Sequence, residues 1–197
     1  MKLIFASNNQ HKIEELKAFA GNEIAIVSLK DAGIDIDIPE PHDTLEDNAS
    51  EKSWTIYKLT GSDCFSEDTG LEIEALNGEP GVKSARYAGE ARSFKDNIEK
   101  VLNKLTNITN RKARFRAVIS LIVEGRETQF EGICNGKIID NPIGTEGFGY
   151  DPIFIPDGSN RSFAEMSIEE KNQFNHRTKA AAKLVAFLQN MKTNSTI

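Results

Sequence analysis

Two β-prone runs in the middle of the chain constrain its fold most. Ala113 to Val123 and Thr128 to Ile139 are rich in β-branched and aromatic residues, and the turn signal Glu124-Gly125-Arg126 joins them. Two such runs across so short a break predict a long hairpin. Arg114 and Arg116 alternate with Phe115 and Ala117, which puts the arginines on a solvent face. Helix signals lie on either side of this hairpin in sequence. Thr44 with Asp47 opens one helix, with Leu45, Ala49, Ile56 and Leu59 as its apolar face. Ser93 with Asp96 opens another, lined by Phe94, Ile98, Val101, Leu102 and Leu105. Ser167 caps a third, and Ala181, Leu184, Val185 and Leu188 mark the buried side of a last one.

The other strands frame the chemistry. Lys2 to Ala6 reads as a short buried strand, Glu23 to Ser28 as a second and Ser62 to Ser66 as a third. Leu71, Ile73 and Ala75 then alternate with Glu72 and Glu74, a half-buried strand pattern. The acidic pair Glu67-Asp68 falls where a strand ends and a turn begins. After it Gly78, Pro80, Gly81 and Gly89 punctuate an irregular loop carrying Arg86 and Tyr87. A carboxylate at a strand end, followed by a Gly-rich loop with a cation, suits metal and phosphate chemistry. Asp68 therefore reads as the chemical centre.

Length and charge bound the rest. A chain of 197 residues fits one large domain, or two lobes sharing a cleft. A net charge of −6 argues against nucleic acid held on a broad basic surface, while a small phosphate ligand needs only a few local cations. Lys2 is followed by four apolar residues before Ser7-Asn8-Asn9, too few for a signal peptide, and no run has membrane-spanning length. Cys64 and Cys134 lie far apart in strand-like segments and read as buried free thiols of a reducing cytosol in preference to a disulfide. Residues 192–197 form a polar tail expected to fray.

Several segments offer ligands, each with a plainer alternative. Ser7-Asn8-Asn9-Gln10-His11-Lys12 lies between a strand and a helix face formed by Ile13, Leu16 and Ala20. Free backbone N–H groups there make an anion site, or simply a helix cap with a solvated lysine. Asn48 and Lys52 share a helix face that either overhangs a cleft or meets solvent. Glu40, stiffened between Pro39 and Pro41, is either a second metal carboxylate or an exposed turn residue. Gly144 to Pro152 packs three glycines with Phe148, Tyr150 and Asp151, suited to a stacked base or to a turn whose aromatics plug the core. Lys171, His176 and Arg177 fall within seven residues at a helix junction, close enough to converge on one ligand. There is no Walker loop, no Gly-x-Ser-x-Gly elbow and no His/Cys spacing for zinc.

Five segments together resemble the inosine triphosphatase family, the pyrophosphatases that cleanse pools of non-standard purine nucleoside triphosphates. They are Ser7 to Lys12; Glu40 with Asp47-Asn48-Ala49 and Lys52; Glu67-Asp68-Thr69-Gly70-Leu71 with Gly81 and Ser84-Ala85-Arg86-Tyr87; Gly147 to Pro152; and Glu170-Lys171 with Asn175-His176-Arg177. The likeness runs from Leu3 to about Leu188. It departs in two places: Ser-Asn-Asn stands where Thr-Gly-Asn is commoner, and Glu67-Asp68-Thr69 where relatives often carry Asp-Asp-Ser.

The resemblance implies an α/β fold with a long mixed β-sheet flanked by helices. It implies a single domain over 1–197 with two lobes around a central cleft, usually as a homodimer in the cytoplasm. It implies Mg²⁺-dependent hydrolysis of ITP, dITP and XTP to the monophosphate and pyrophosphate. By position, Asp68 resembles the catalytic acid and Glu40 with Asp68 the metal-side carboxylates. Ser7, Asn8, Asn9, Gln10, His11, Lys12 and Lys52 resemble a triphosphate cradle, with Thr69 a substrate contact. Phe148, Gly149, Tyr150, Asp151, Lys171, His176 and Arg177 resemble the nucleoside pocket. An oxygen at the purine 6-position is an acceptor that suits donors such as Lys171 and Arg177, whereas adenine presents an amino group. The competing readings are a Maf-like pyrophosphatase for modified pyrimidine nucleotides and a nucleotide sensor without turnover. The Phe-Gly-Tyr-Asp and Lys…His-Arg segments speak against the first, and the acids with Lys52 against the second.

Overall fold

The structure, a computed structural model, describes residues 1–20 and 24–194. Its strands are β1 (Lys2–Phe5), β2 (Ala25–Ser28), β3 (Cys64–Ile73), β4 (Pro80–Gly81), β5 (Lys112–Val123), β6 (Arg126–Ile138) and β7 (Phe154–Pro156). Its helices are α1 (Gln10–Ala20), α2 (Leu45–Thr60), α3 (Phe94–Lys104), α4 (Ile168–Asn172) and α5 (His176–Asn194). The strands form one sheet in the order β2-β1-β3-β5-β6-β7, with β4 on β3. The sheet is mixed: β1 pairs parallel with β2 and β3, while β4 on β3 and β7 on β6 are antiparallel. The α/β class and the mixed sheet are as the resemblance implied.

The expected hairpin forms β5 and β6. Glu124 (φ 50°) and Gly125 (φ 73°) both take left-handed backbone in its turn, the dihedral signs of the primed turns that match strand twist. The helix starts follow the capping chemistry: Thr44 Oγ1 accepts from Asp47 N, Ser93 Oγ from Asp96 N and Ser167 Oγ from Glu170 N.

The chain divides into two compact units. The first comprises 1–68, 117–132 and 177–197, and the second 69–116 and 133–176. In the first, Leu3, Phe5, Phe65, Ile119 and Leu121 pack with Ile13 and Leu16 of α1 and Leu184 of α5. A further cluster joins Ala6, Cys64, Ile122 and Ile56 of α2. In the second, Phe115, Phe154, Phe163, Val101 and Leu105 form the core. Both cysteines are free and buried.

Several expectations change. The turn at Glu67-Asp68 does not occur: β3 is one strand from Cys64 to Ile73. Nearly all of it is buried, so no polar face marks where one segment passes into the next. At its far end the strand stops at Ile73 and Ala75 joins a 3₁₀ turn, Glu74–Leu76. Leu59 is 59% exposed, because the buried stripe of α2 runs through Leu45, Ala49, Ser53 and Ile56. Phe94 at the start of α3 is likewise exposed, leaving Ile98 and Val101 to anchor the helix. The second strand begins at Ala25, and its expected first residue, Glu23, lies outside the described residues. At the other end α5 continues through 192–194, and 195–197 lie outside the described residues.

Candidate active site

The pleat of β3 sorts its side chains between two faces. Phe65 and Glu67 belong to the face covered by α1 and α5, where Phe65 packs in the same cluster as Ile13 and Leu184. Cys64, Ser66 and Asp68 belong to the other. Cys64 donates to the Ser53 carbonyl, Ser66 to that of Ala49, and Asp68 accepts from Lys52, all on α2. Two adjacent acids thereby acquire different partners.

Asp68 and Lys52 form the first cluster. Lys52 Nζ donates to Asp68 Oδ1 at 2.9 Å, to Glu40 Oε1 at 2.8 Å and to the Glu67 carbonyl at 2.9 Å. Asp68 Oδ2 is buried and has no hydrogen-bond partner among the described residues. Burial pushes the Asp68 carboxyl above its ordinary value, with Glu40 adding to the rise and Lys52 and Lys12 only partly offsetting it. Burial opposes the charge on Lys52 too, but the two carboxylates outweigh it and hold the ammonium above its usual value. The Glu40 segment is fixed from below: Asn48 Oδ1 accepts from His42 N at 2.9 Å, and Asn48 Nδ2 donates to the His42 carbonyl. Asn48 thus braces the loop that brings Glu40 to Lys52.

Glu67 lies in a second buried cluster. Arg177 Nε donates to Glu67 Oε2 at 2.6 Å and Nη2 to Oε1 at 3.2 Å, while Nη1 donates to Glu15. Lys12 Nζ stands 3.5 Å from Glu67 Oε1. Burial alone raises the Glu67 carboxyl, but Arg177 and Lys12 together hold it below the usual range. Lys12 is pushed down by burial, its attraction to Glu67 offsetting only part. Arg177 is 1% exposed and held charged by both acids.

The first loop is shorter than its wording suggests, since Gln10, His11 and Lys12 already form the first turn of α1. Asn9 Oδ1 caps the helix by accepting from Lys12 N at 3.3 Å, and Ser7 Oγ accepts from Asn9 N. Asn8 is not among the residues with positive φ. Its Nδ2 donates to the Ile36 carbonyl, so the Gly-to-Asn departure carries no backbone strain and gains a tether.

The second unit holds the other candidates. Asp151 Oδ2 accepts from Phe148 N at 2.9 Å and from Lys171 Nζ at 2.6 Å, with both charged groups buried. Lys171 Nζ lies 5.1 Å from the Phe148 ring centroid, within cation–π range. Gly147 has φ 73°, and a Cβ there would meet Asp151 Oδ2 at 2.1 Å. Only glycine lets the loop fold over that acid. Tyr150 donates from its hydroxyl to the Ser84 carbonyl at 2.8 Å, and the His176 ring stacks on Phe115. Ser84 Oγ accepts from Leu71 N, fixing the chain just after Thr69 and Gly70. Asn97 of α3 holds the Ser84 to Ala88 turn through Ala85 O and Ala88 N.

Asp68, Glu40, Lys52 and Lys12 are thus together in the first unit, and Phe148, Asp151 and Lys171 in the second. Arg177, read with Lys171 from sequence, belongs to the first unit and pairs with Glu67 and Glu15. Sequence reasoning passed over Glu15. Its signal was its spacing: it lies three residues from Lys12, on the same helix face beside the Ile13–Leu16 stripe.

A buried acid half-satisfied by lysine, and a strand-to-helix loop whose first helical turn carries Lys12, are groups suited to phosphate chemistry in an α/β fold. Similarity to known proteins narrows this. The Ham1 family model matches residues 3–187, and the chain belongs to the Ham1 family. It is 49% identical over 190 residues to the dITP/XTP pyrophosphatase of Flavobacterium psychrophilum, covering 96% of this chain and 100% of that one. The Staphylococcus aureus Ham1 protein superposes with a TM-score of 0.87 at 41% identity, covering 97% of this chain and 100% of that one. A nucleoside-triphosphatase / dITP/XTP pyrophosphatase from Mycobacterium abscessus gives 0.75 at 40%, covering 93% and 98%. The resemblance read from five segments is borne out.

Proposed function

We propose that this protein hydrolyses the non-standard purine nucleoside triphosphates ITP, dITP and XTP to the monophosphate and pyrophosphate. The reading makes it a cytoplasmic homodimer that keeps deaminated purines out of DNA and RNA. Among the described residues no helix is long and apolar enough to cross a membrane. The observation that carries the reading is Asp68, with one oxygen held by Lys52 and the other buried without a partner among the described residues. A buried carboxylate oxygen left unpaired is costly unless a polar group arrives to meet it. Its relatives' names, dITP/XTP pyrophosphatase, supply the substrate class.

A triphosphate brings about four negative charges, so the reading includes Mg²⁺, which takes one or two carboxylates together with phosphate oxygens and water. Among the described residues no three His, Cys, Asp or Glu side chains cluster to hold a metal by themselves. Two carboxylates suffice for Mg²⁺ shared with substrate, and the unpaired Oδ2 of Asp68 with Glu40 fits that donor set. The ion, when bound, would neutralise phosphate charge and polarise the phosphoryl oxygens.

The chain's own residues do the rest. Asp68 orients a water and takes its proton as the oxygen attacks the α-phosphorus. Lys52 and Lys12 stabilise charge on the departing pyrophosphate. Ser7, Asn8, Asn9, Gln10 and His11 at the start of α1 receive phosphate oxygens. Thr69 contacts substrate. Phe148, Gly149, Tyr150, Asp151, Lys171 and His176 take the nucleoside, with Lys171 donating to the 6-oxygen. Arg177 is given a holding role, balancing Glu67 and Glu15. Pyrophosphate release from dITP, XTP, dATP and pyrimidine triphosphates tests the assignment: release is expected from the first two, and equal release from dATP would refute the 6-oxo argument.

A further inference from the structure

The hairpin carries a carboxylate that this chemistry does not use. Glu127, the second residue of β6, accepts four hydrogen bonds. Ser50 Oγ and Trp54 Nε1 donate to Oε2 at 3.1 and 2.9 Å, and Ser120 Oγ and Gln129 Nε2 to Oε1 at 2.8 and 3.0 Å. Ser50 and Trp54 belong to α2. Gln129 Nε2 also reaches the Glu46 carbonyl in the first turn of α2, and Ser53 Oγ is 2.6 Å from Ser120 Oγ. Farther along the helix, a Cβ added at Gly125 would stand 3.3 Å from the Tyr57 hydroxyl.

Positions 46, 50, 53, 54 and 57 recur at helical spacing and so form one stripe of α2. That stripe meets the hairpin through a polar seam centred on one carboxylate. An apolar seam is non-directional and tolerates rotation or slip. Hydrogen bonds with distance and angle requirements fix both the rotation and the axial position of the helix. Lys52 lies in sequence between Ser50 and Trp54, on the face turned to Asp68 and Glu40. A slip of the seam would carry its ammonium off both acids.

We propose that Glu127 is a positioning residue for the pyrophosphatase reaction, acting through α2 to hold Lys52 on Asp68. The inference rests on the roles given above to those two residues. Both Glu127 oxygens are used as acceptors, so its shape alone is not enough. Each of its oxygens faces one hydroxyl and one N–H donor. A hydroxyl can turn and accept, but an indole N–H cannot. A glutamine therefore either sets its own N–H against Trp54 Nε1, or forces the Gln129 amide to flip and give up the Glu46 carbonyl. Although burial pushes the Glu127 carboxyl up, the bonds from Ser120, Trp54, Gln129 and Ser50 together hold it below its usual value.

The test measures kcat and KM for dITP with Glu127→Gln and Trp54→Phe, each made in the native and the Lys52→Met backgrounds, beside thermal unfolding. In the native background Glu127→Gln should lower kcat about tenfold with KM changed less than about twofold, the pattern of an interaction felt in the transition state. Trp54→Phe should lower kcat about threefold with the same split. With no ammonium to misplace, neither change should cost more than about twofold in the Lys52→Met background. Equal fold-losses in both backgrounds, or native kcat in both variants, would overturn the inference. If Glu127→Gln does not fold, Trp54→Phe decides on the same criterion. A Lys52→Met enzyme with native kcat, or a native chain inactive on dITP, would instead sink the functional reading beneath it.

Discussion

Lys52 Nζ lies 2.9 Å from Asp68 Oδ1 and 2.8 Å from Glu40 Oε1, so one buried ammonium bridges two acids from different parts of the chain. Asp68 is nevertheless raised, because burial outweighs what Lys52 and Lys12 return and Glu40 repels it. Removing the bridging charge should raise it further. Lys52→Met is expected to move the acid limb of the kcat/KM pH profile upward and to lower the plateau about a hundredfold. A limb that stays in place would show that Asp68 does not govern it.

Asp68→Asn separates function from stability. A carboxyl whose folded pKa lies above its unfolded value binds more protons in the folded state, so folding weakens as pH rises through that window. An amide has no such charge to bury. Asp68→Asn should lower kcat by roughly 10²- to 10⁴-fold while leaving the protein at least as stable as native at neutral pH. Thermal unfolding at neutral and acidic pH checks this: any gain should vanish below the unfolded carboxyl value. A clear loss of stability at neutral pH would contradict it.

Glu67 should behave in the opposite way. Its folded pKa is depressed by Arg177 and Lys12 against the burial that raises it. The stability it contributes is present above the unfolded value and is lost as pH falls through the folded one. Glu67→Gln leaves Arg177 with half its countercharge in a buried site, a change that costs about 3–5 kcal/mol. Urea unfolding at neutral pH reads the loss, and the deficit should shrink in acid. A stability unchanged from native would mean that Glu15 alone satisfies the guanidinium.

The base end is tested at Gly147. A methyl group there would lie 2.1 Å from Asp151 Oδ2, the atom that accepts from both Phe148 N and Lys171 Nζ. Gly147→Ala should raise KM for dITP by about tenfold or more by displacing Phe148 and Lys171 together. The preference for dITP over dATP should fall with it. An unchanged preference would show that Lys171 does not read the base.

How much of this was legible in the sequence depends on what each residue's signal was. Caps such as Thr44 and Ser93 act over three residues and could be read directly, as could the Glu124-Gly125 turn. The run through Asp68 was misread as a strand end because a strand buried on both faces shows no alternation. Leu59 and Phe94 fit a helical stripe by spacing, yet lie just beyond the surface their helices bury. Arg177 followed His176 in the chain, but its partners Glu67 and Glu15 are more than a hundred residues away, and only the fold brings them together. The polar seam on Glu127 was invisible for the same reason. It links α2 to a hairpin some seventy residues downstream, through serines that in sequence look like ordinary solvent-facing residues.

The proposed reaction is water attack at the α-phosphorus with pyrophosphate as the leaving group. Turnover of dITP in ¹⁸O-labelled water with Mg²⁺ tests it directly. One labelled oxygen is expected in the monophosphate, with unlabelled pyrophosphate and no release once the cation is chelated. Label in pyrophosphate or inorganic phosphate would place the attack elsewhere and contradict it.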